Sequence, residues 1–342
     1  MSGSGVVIRC DGSHLLGLGH IVRCIALARE LRDVHHRDVV FAMRSDPLGF
    51  AMAREAGFPV TEGQMGGESS NDTWLTEVVR ASGADRLVLD VRDDLTVDQV
   101  RAVRERTKVR VAVIDDGSER RMAADDVFYP PVQQAFSLRW PGFAGRLHIG
   151  WEWVLLRPEF AAKPQRSAHE PPVVLVAMGG SDPAGMTLKA VRALALVRRP
   201  FEGVLILGRA YAHEAELARL LSGSPRKLRV VRDGDVRGQM LAADLAILSF
   251  GVTSYEAAAC ALPAVALCLT DDHAESAEAF AQAGLAISLG RADRVGEAQL
   301  AEAVERMLTD NAELSVMGAR ARHLVDGGGA ARIARVITER RS

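Results

Sequence analysis

Short runs of aliphatic and β-branched residues alternate along the chain with segments whose apolar residues recur every three to four positions. The first run, Gly5-Val6-Val7-Ile8-Arg9-Cys10, is followed by a segment in which Ile21, Ile25, Ala28 and Leu31 share one helical face. The alternation then predicts a strand at 38–43, a helix around 49–56, a short strand at 58–60 and a polar loop at 63–72. Next come a helix at 73–82, a strand at 86–89 ending on Asp90, a helix at 97–107, and a strand at 109–114 ending on Asp115-Asp116. Strands alternating with helices predict a parallel sheet, because a parallel neighbour needs a connection long enough to hold a helix.

Between 158 and 172 the periodicity lapses, and Pro158, Pro164, Pro171 and Pro172 punctuate the chain. This stretch reads as an interdomain linker. The alternation restarts with strands at 173–177, 204–207, 228–231, 245–248 and 264–267. Helices fall between them at 185–197, 213–221, 236–243, after Ser254 through Cys260, and near 274–283. The last third is rich in helix. The expectation is two doubly wound α/β domains, 1–157 and 173–342, facing a cleft at the carboxyl ends of their strands.

Composition narrows the partners. A length of 342 residues accommodates two cores. Lys plus Arg number 42 against 44 for Asp plus Glu, which excludes a nucleic-acid binder working through bulk positive charge. Aromatics at 5% argue against a base-stacking platform. Cys10, Cys24, Cys260 and Cys268 show no metal-ligand spacing and read as small buried hydrophobes. No signal-peptide pattern opens the chain and no apolar run is long enough to span a bilayer, so a cytoplasmic location with reduced thiols is expected, without membrane insertion. The oligomeric state is not legible.

Candidate chemistry clusters where strands end. Gly17-Leu18-Gly19-His20 opens a helix after the first strand, and no glycine completes the G-x-G-x-x-G of a dinucleotide site. The positive end of the helix dipole disfavours imidazolium at His20, and a neutral imidazole suits a general base; the plain alternative is a capping or packing histidine. In Met178-Gly179-Gly180-Ser181-Asp182 the glycines allow close approach and Ser181 can donate to a phosphate, or Asp182 simply caps the next helix. In Ser249-Phe250-Gly251-Val252-Thr253-Ser254-Tyr255-Glu256 a helix N-terminus could hold a diphosphate. There Glu256 could accept ribose hydroxyls, or merely complement the dipole. Thr270-Asp271-Asp272-His273 could be cleft residues or caps; no second ligand cluster supports a metal. Asp90, Asp93, Asp94, Asp115 and Asp116 either face the cleft or cap their turns.

These segments, in order, resemble a known family. Arg9-Cys10-Asp11-Gly12-Ser13 with Gly17-Leu18-Gly19-His20-Ile21-Val22-Arg23, then Ile114-Asp115-Asp116, look like the pseudaminic-acid-pathway UDP-sugar hydrolases and spore-coat polysaccharide proteins. The match continues through 150–160, Met178–Asp182, and Ser249-x-Gly251-x-Thr253-x-x-Glu256. The group has the GT-B glycosyltransferase fold and is similar to the transferase that makes lipid II. The resemblance implies hydrolysis of UDP-2,4-diacetamido-2,4,6-trideoxy-β-L-altropyranose without metal or cofactor, by inverting attack of water at C1. It places the base on His20. The substrate-binding set becomes Arg9, Asp11, Gly17, Gly19, Asp90, Gly179, Gly180, Ser181, Gly251, Val252, Thr253, Glu256, Asp272 and His273. The family usually carries Asn-Gln where this chain has Asp272-His273, and often Asp-His-Tyr where it reads Asp90-Val91-Arg92. Both departures bear on the sugar more than on UDP. Two other readings stay open: an inverting UDP-sugar glycosyltransferase, with His20 deprotonating an acceptor hydroxyl, and a nucleotide-sugar binder without catalysis.

Overall fold

The structure is a computed structural model that describes residues 5–12, 18–44, 47–63, 71–208, 210–232 and 234–339. The chain divides into two compact units: residues 1–158 together with 328–342, and residues 159–327.

The first unit runs β1 (Gly5–Cys10), α1 (Gly19–Asp33), β2 (Asp38–Met43), α2 (Pro47–Glu55), β3 (Val60–Glu62), α3 (Asn71–Ala81), β4 (Ala84–Asp90) and α4 (Val97–Thr107). It continues with β5 (Arg110–Ile114), β6 (Asp126–Tyr129), α5 (Gln133–Ser137) and β7 (Arg146–Ile149). All seven strands are parallel, in the order β3-β2-β1-β4-β5-β6-β7. The order reverses between β1 and β4, and ligands of such sheets bind beyond the carboxyl ends at that point. Strand β1 is buried along its whole length, which its unbroken apolar run requires of a central parallel strand.

The second unit repeats the winding. It runs β8 (Val173–Ala177), α6 (Met186–Leu196), β9 (Glu202–Leu207), α7 (Glu214–Ser222), β10 (Leu228–Arg232), α8 (Val236–Leu241) and β11 (Leu245–Ser249). It closes with α9 (Val252–Ala259), β12 (Ala264–Cys268), α10 (Asp271–Gln282), β13 (Ile287–Arg291), α11 (Glu297–Thr309) and α12 (Asn311–Leu324). Its order is β10-β9-β8-β11-β12-β13, reversing between β8 and β11. The core joins Val174 and Val176 of β8 to Ala190 and Leu194 of α6 and to Leu300 and Val304 of α11.

One expectation needs correction. The final helix, α13 (Gly329–Thr338), belongs to the first unit and not to a domain covering 173–342. Its face of Ile333, Ala334, Val336 and Ile337 is buried with Ile8, Leu27 and Leu31 in the first core. Gly329 packs so tightly that a Cβ there would lie 2.0 Å from the Val154 carbonyl oxygen. The stretch read as a linker begins at the boundary between the units, and residues 159–172 belong to the second. Arg166 donates to the carbonyls of Met240 and Ala243, and the Asp244 carboxylate accepts from the Val173 N–H and contacts His169 Nδ1 at 3.0 Å.

Candidate active site

In the first unit the elements meeting at the β1/β4 reversal bring His20, Arg23, Asp90 and Asp115 together. His20 lies in the first turn of α1, and Arg23 follows three residues later on the same face. Asp90 ends β4, fully buried, and Asp115 follows β5 in a left-handed conformation at φ +50°. His20 Nδ1 is 2.6 Å from Asp90 Oδ1. The Arg23 guanidinium grips Asp90 in a fork, Nε to Oδ2 at 2.6 Å and Nη2 to Oδ1 at 2.6 Å, while its Nη1 donates to Asp115 at 3.0 Å. The Cys24 thiol donates to Asp90 Oδ2 at 3.3 Å.

The electrostatics fix the histidine. Burial alone would push the Asp90 carboxyl up, but Arg23 and then His20 outweigh it and hold the group well below the usual carboxylate range. An ionised carboxylate only accepts hydrogen bonds, so the short contact to His20 requires a proton on Nδ1. In its neutral form His20 would therefore carry its lone pair on Nε2, which has no hydrogen-bond partner among the described residues, as a general base needs, and Asp90 would stabilise the imidazolium that forms.

The same geometry gives three expected substrate residues partners within the protein. Asp90 is fully buried, with both its oxygens engaged by His20 and Arg23. Arg9 is 2% exposed and pairs with Asp11 at 2.6 Å and Asp93 at 2.7 Å. Asp93 also binds Arg120, whose Nε lies 2.8 Å from Asp116. Asp11 is spent on Arg9 and on the Arg44 N–H at 2.7 Å. Buried charges must find partners within the protein, and here that need consumes them. Gly19 starts α1 as expected of the turn; Gly17 lies outside the described residues.

In the second unit the expected residues sit at the ends of β8, β11 and β12. After β8, Gly179 takes φ +83°, and Gly180 is approached so closely by Gly208 that a Cβ on Gly208 would lie 2.3 Å from its oxygen. Ser181 is half-buried in the same turn. Asp182 follows the plain reading: it accepts from the Met186 and Thr187 N–H groups at 2.8 Å each and so caps α6, which takes those donors from any anion. The N-terminus of α9 differs. Its N-cap is Gly251, at φ +156° and ψ −158°, which brings no side chain to the free N–H groups of the first turn containing Val252 and Thr253. Ser254 is 4% exposed, with its hydroxyl lacking a partner among the described residues. Glu256 is buried one turn into α9.

Thr270 caps α10 by accepting from the His273 N–H, so the helix starts at Asp271, three residues earlier than its apolar pattern suggests. Asp271 pairs with Arg291, and Asp272 is exposed in the first turn. The His273 ring lies 6.4 Å from Phe250, its pKa lowered by burial and its Nδ1 lacking a partner among the described residues. Among the described residues no group of three His, Cys, Asp or Glu could hold a metal ion, and no helix is long and apolar enough to cross a membrane. Sequence reasoning missed Arg23 and Cys24 as site residues. The signal for Arg23 was its three-residue spacing from His20; Cys24 carried none.

No protein-family model matches the chain. It is similar to the spore coat polysaccharide biosynthesis protein SpsG of Bacillus subtilis, 22% identical over 339 residues and 98% of each chain. It is also similar to the UDP-2,4-diacetamido-2,4,6-trideoxy-β-L-altropyranose hydrolase of Campylobacter jejuni, 25% identical over 187 residues, 54% of this chain and 63% of that one. Among solved structures it resembles MurG of Acinetobacter baumannii, with a TM-score of 0.75 at 15% identity over 97% of this chain and 99% of that one. Anabaena HepE, solved with UDP-glucose, gives a TM-score of 0.63 at 15% identity over 97% of this chain and 98% of that one. These likenesses show the GT-B fold: two Rossmann-like units, each wound about a parallel sheet.

Proposed function

We propose that the chain is an enzyme acting on a UDP-sugar in polysaccharide or nonulosonate synthesis, and that it hydrolyses the sugar–phosphate bond. The observation that carries this reading is the His20–Asp90–Arg23 arrangement, a histidine whose inner nitrogen faces a buried carboxylate and whose outer nitrogen has no partner among the described residues. On this reading His20 Nε2 takes a proton from water as the oxygen attacks the anomeric carbon. The C1–O bond breaks with inversion, and UDP departs with the bonding pair. The α9 N-terminus at Gly251, Val252 and Thr253 would hold the diphosphate and offset the charge growing on it. The Gly179-Gly180-Ser181 turn is proposed as a second phosphate contact, and Glu256 as acceptor of the ribose hydroxyls. Asp272 and His273 would face the sugar. The C. jejuni relative, named for such a hydrolysis, supports this reading. The enzyme is placed in the cytoplasm by the same proposal.

The MurG likeness favours a second reading, in which His20 deprotonates an acceptor hydroxyl instead of water. One assay separates the two. Purified protein is given UDP-2,4-diacetamido-2,4,6-trideoxy-β-L-altropyranose alone, then UDP-glucose alone, and UDP release is followed. Steady release without acceptor is the expected result. Release only on adding a carbohydrate acceptor would replace hydrolysis with transfer, and binding without release would leave a nucleotide-sugar binder.

A further inference from the structure

A buried aspartate beside a histidine can hold that ring in more than one way. It must be ionised to demand the Nδ1 proton, and it must be fixed in rotation to aim the ring. Desolvation opposes the first and a lone hydrogen bond does not secure the second. Around Asp90, α1 supplies His20, Arg23 and Cys24, β1 supplies Cys10 against Cys24, and the turn after β5 supplies Asp115. The only guanidinium among these is that of Arg23, and its fork spans both Asp90 oxygens. Its third arm is tied to Asp115, whose backbone carbonyl accepts from Arg92 at 2.5 Å. The guanidinium is thus fixed at both ends, with its side chain 13% exposed.

We propose that Arg23 is a positioning residue for His20: by clamping Asp90 as an ionised, rotationally fixed acceptor, it selects the tautomer that leaves Nε2 free. The proposal rests on the reading of His20 as the base, but its structural half does not. A lysine would keep the charge but not the fork, since an ammonium cannot present two parallel donors to one carboxylate. Glutamine would keep neither. A residue that only packed α1 onto the sheet would tolerate both changes without altering the imidazole.

The test compares wild type, R23K and R23Q in two readouts. The first is the His20 tautomer in protein labelled with ¹⁵N-histidine, its signal assigned by its loss in H20A. Wild type should show the Nδ1–H form, the less common one for free imidazole. R23Q should shift to a mixture with Nε2–H, and R23K should lie between. The second readout is UDP release, where R23Q should lower kcat by at least about tenfold while the UDP dissociation constant stays within about twofold, with R23K recovering part of kcat. A wild-type tautomer together with wild-type kcat in R23Q overturns the proposal; if R23Q does not fold, the same result in R23K overturns it. Full turnover by H20A would instead remove the reading of His20 as base, and the tautomer measurement would still decide whether Arg23 positions the ring.

Discussion

The two units solve the same topological problem with opposite materials. Each has a parallel sheet whose order reverses beside its first strand, and each gathers polar residues beyond the strand ends there. In the first unit the reversal is packed with ion pairs: Arg23 with Asp90 and Asp115, Arg9 with Asp11 and Asp93, Arg120 with Asp93 and Asp116. In the second it is built from glycine turns and a helix start that lacks a capping side chain. A dense charge network holds one side chain in one orientation, which suits proton transfer. Bare backbone N–H groups suit an anion that must arrive and leave. On the proposed reading one winding serves two tasks, and the side chains at the reversal decide which.

That contrast can be broken from the first unit with the largest effects. D90N should lower turnover by at least about 100-fold, because an amide can donate to Nδ1 and so stabilise the wrong tautomer. D90A should also cost about 3–5 kcal/mol of stability by stranding Arg23 in the interior, measured as a shift in urea midpoint at pH 7. The pH dependence has a definite sign. Asp90 is held below its unfolded value near 3.9, so its contribution is complete above about pH 4 and is lost as pH falls toward the folded value. The stability gap between wild type and D90A should therefore narrow from pH 5 to pH 3; a constant gap would mean that folding does not lower the Asp90 pKa, and a gap that widened would mean that Asp90 is not ionised in the native state.

The second unit offers smaller effects. Gly251→Ala forces a side chain onto a backbone conformation that favours glycine, and should weaken UDP binding by about tenfold, one hydrogen bond's worth; unchanged affinity by calorimetry would remove α9 as the diphosphate cradle. Asp182→Ala should cost only about 0.5–2 kcal/mol in thermal or urea unfolding, the loss of a helix cap, and leave UDP affinity within about twofold. A large loss of UDP affinity in that variant would move the phosphate to the α6 turn.

Much of the fold was legible because parallel strands advertise themselves as apolar runs bounded by polar turns. The α4 bounds and those of β1, β2 and β8 follow directly from that pattern. Strands β6 and β7 were not anticipated, since Asp126–Tyr129 is short and Arg-Leu-His-Ile at 146–149 carries the mixed polarity of a sheet edge. The return of α13 to the first unit depends on a face that fits a surface more than 150 residues upstream, which no local pattern encodes. For the site, His20 and the strand-end carboxylates were visible, but their pairing was not. The contact of His20 with Asp90 spans 70 residues and is created by the register of β1 against β4. Arg9 and Asp11 stand in the substrate set through the resemblance alone, and their pairing in the interior was not visible because sequence shows charge but not burial.

The central claim is that the first unit performs the proton transfer while the second holds the nucleotide. H20A tests it most directly, through UDP release and UDP affinity measured on the same preparation. The account predicts turnover lower by at least about 100-fold with the UDP dissociation constant within about twofold of wild type. Turnover at the wild-type rate, or a loss of UDP affinity that parallels the loss of turnover, would contradict it.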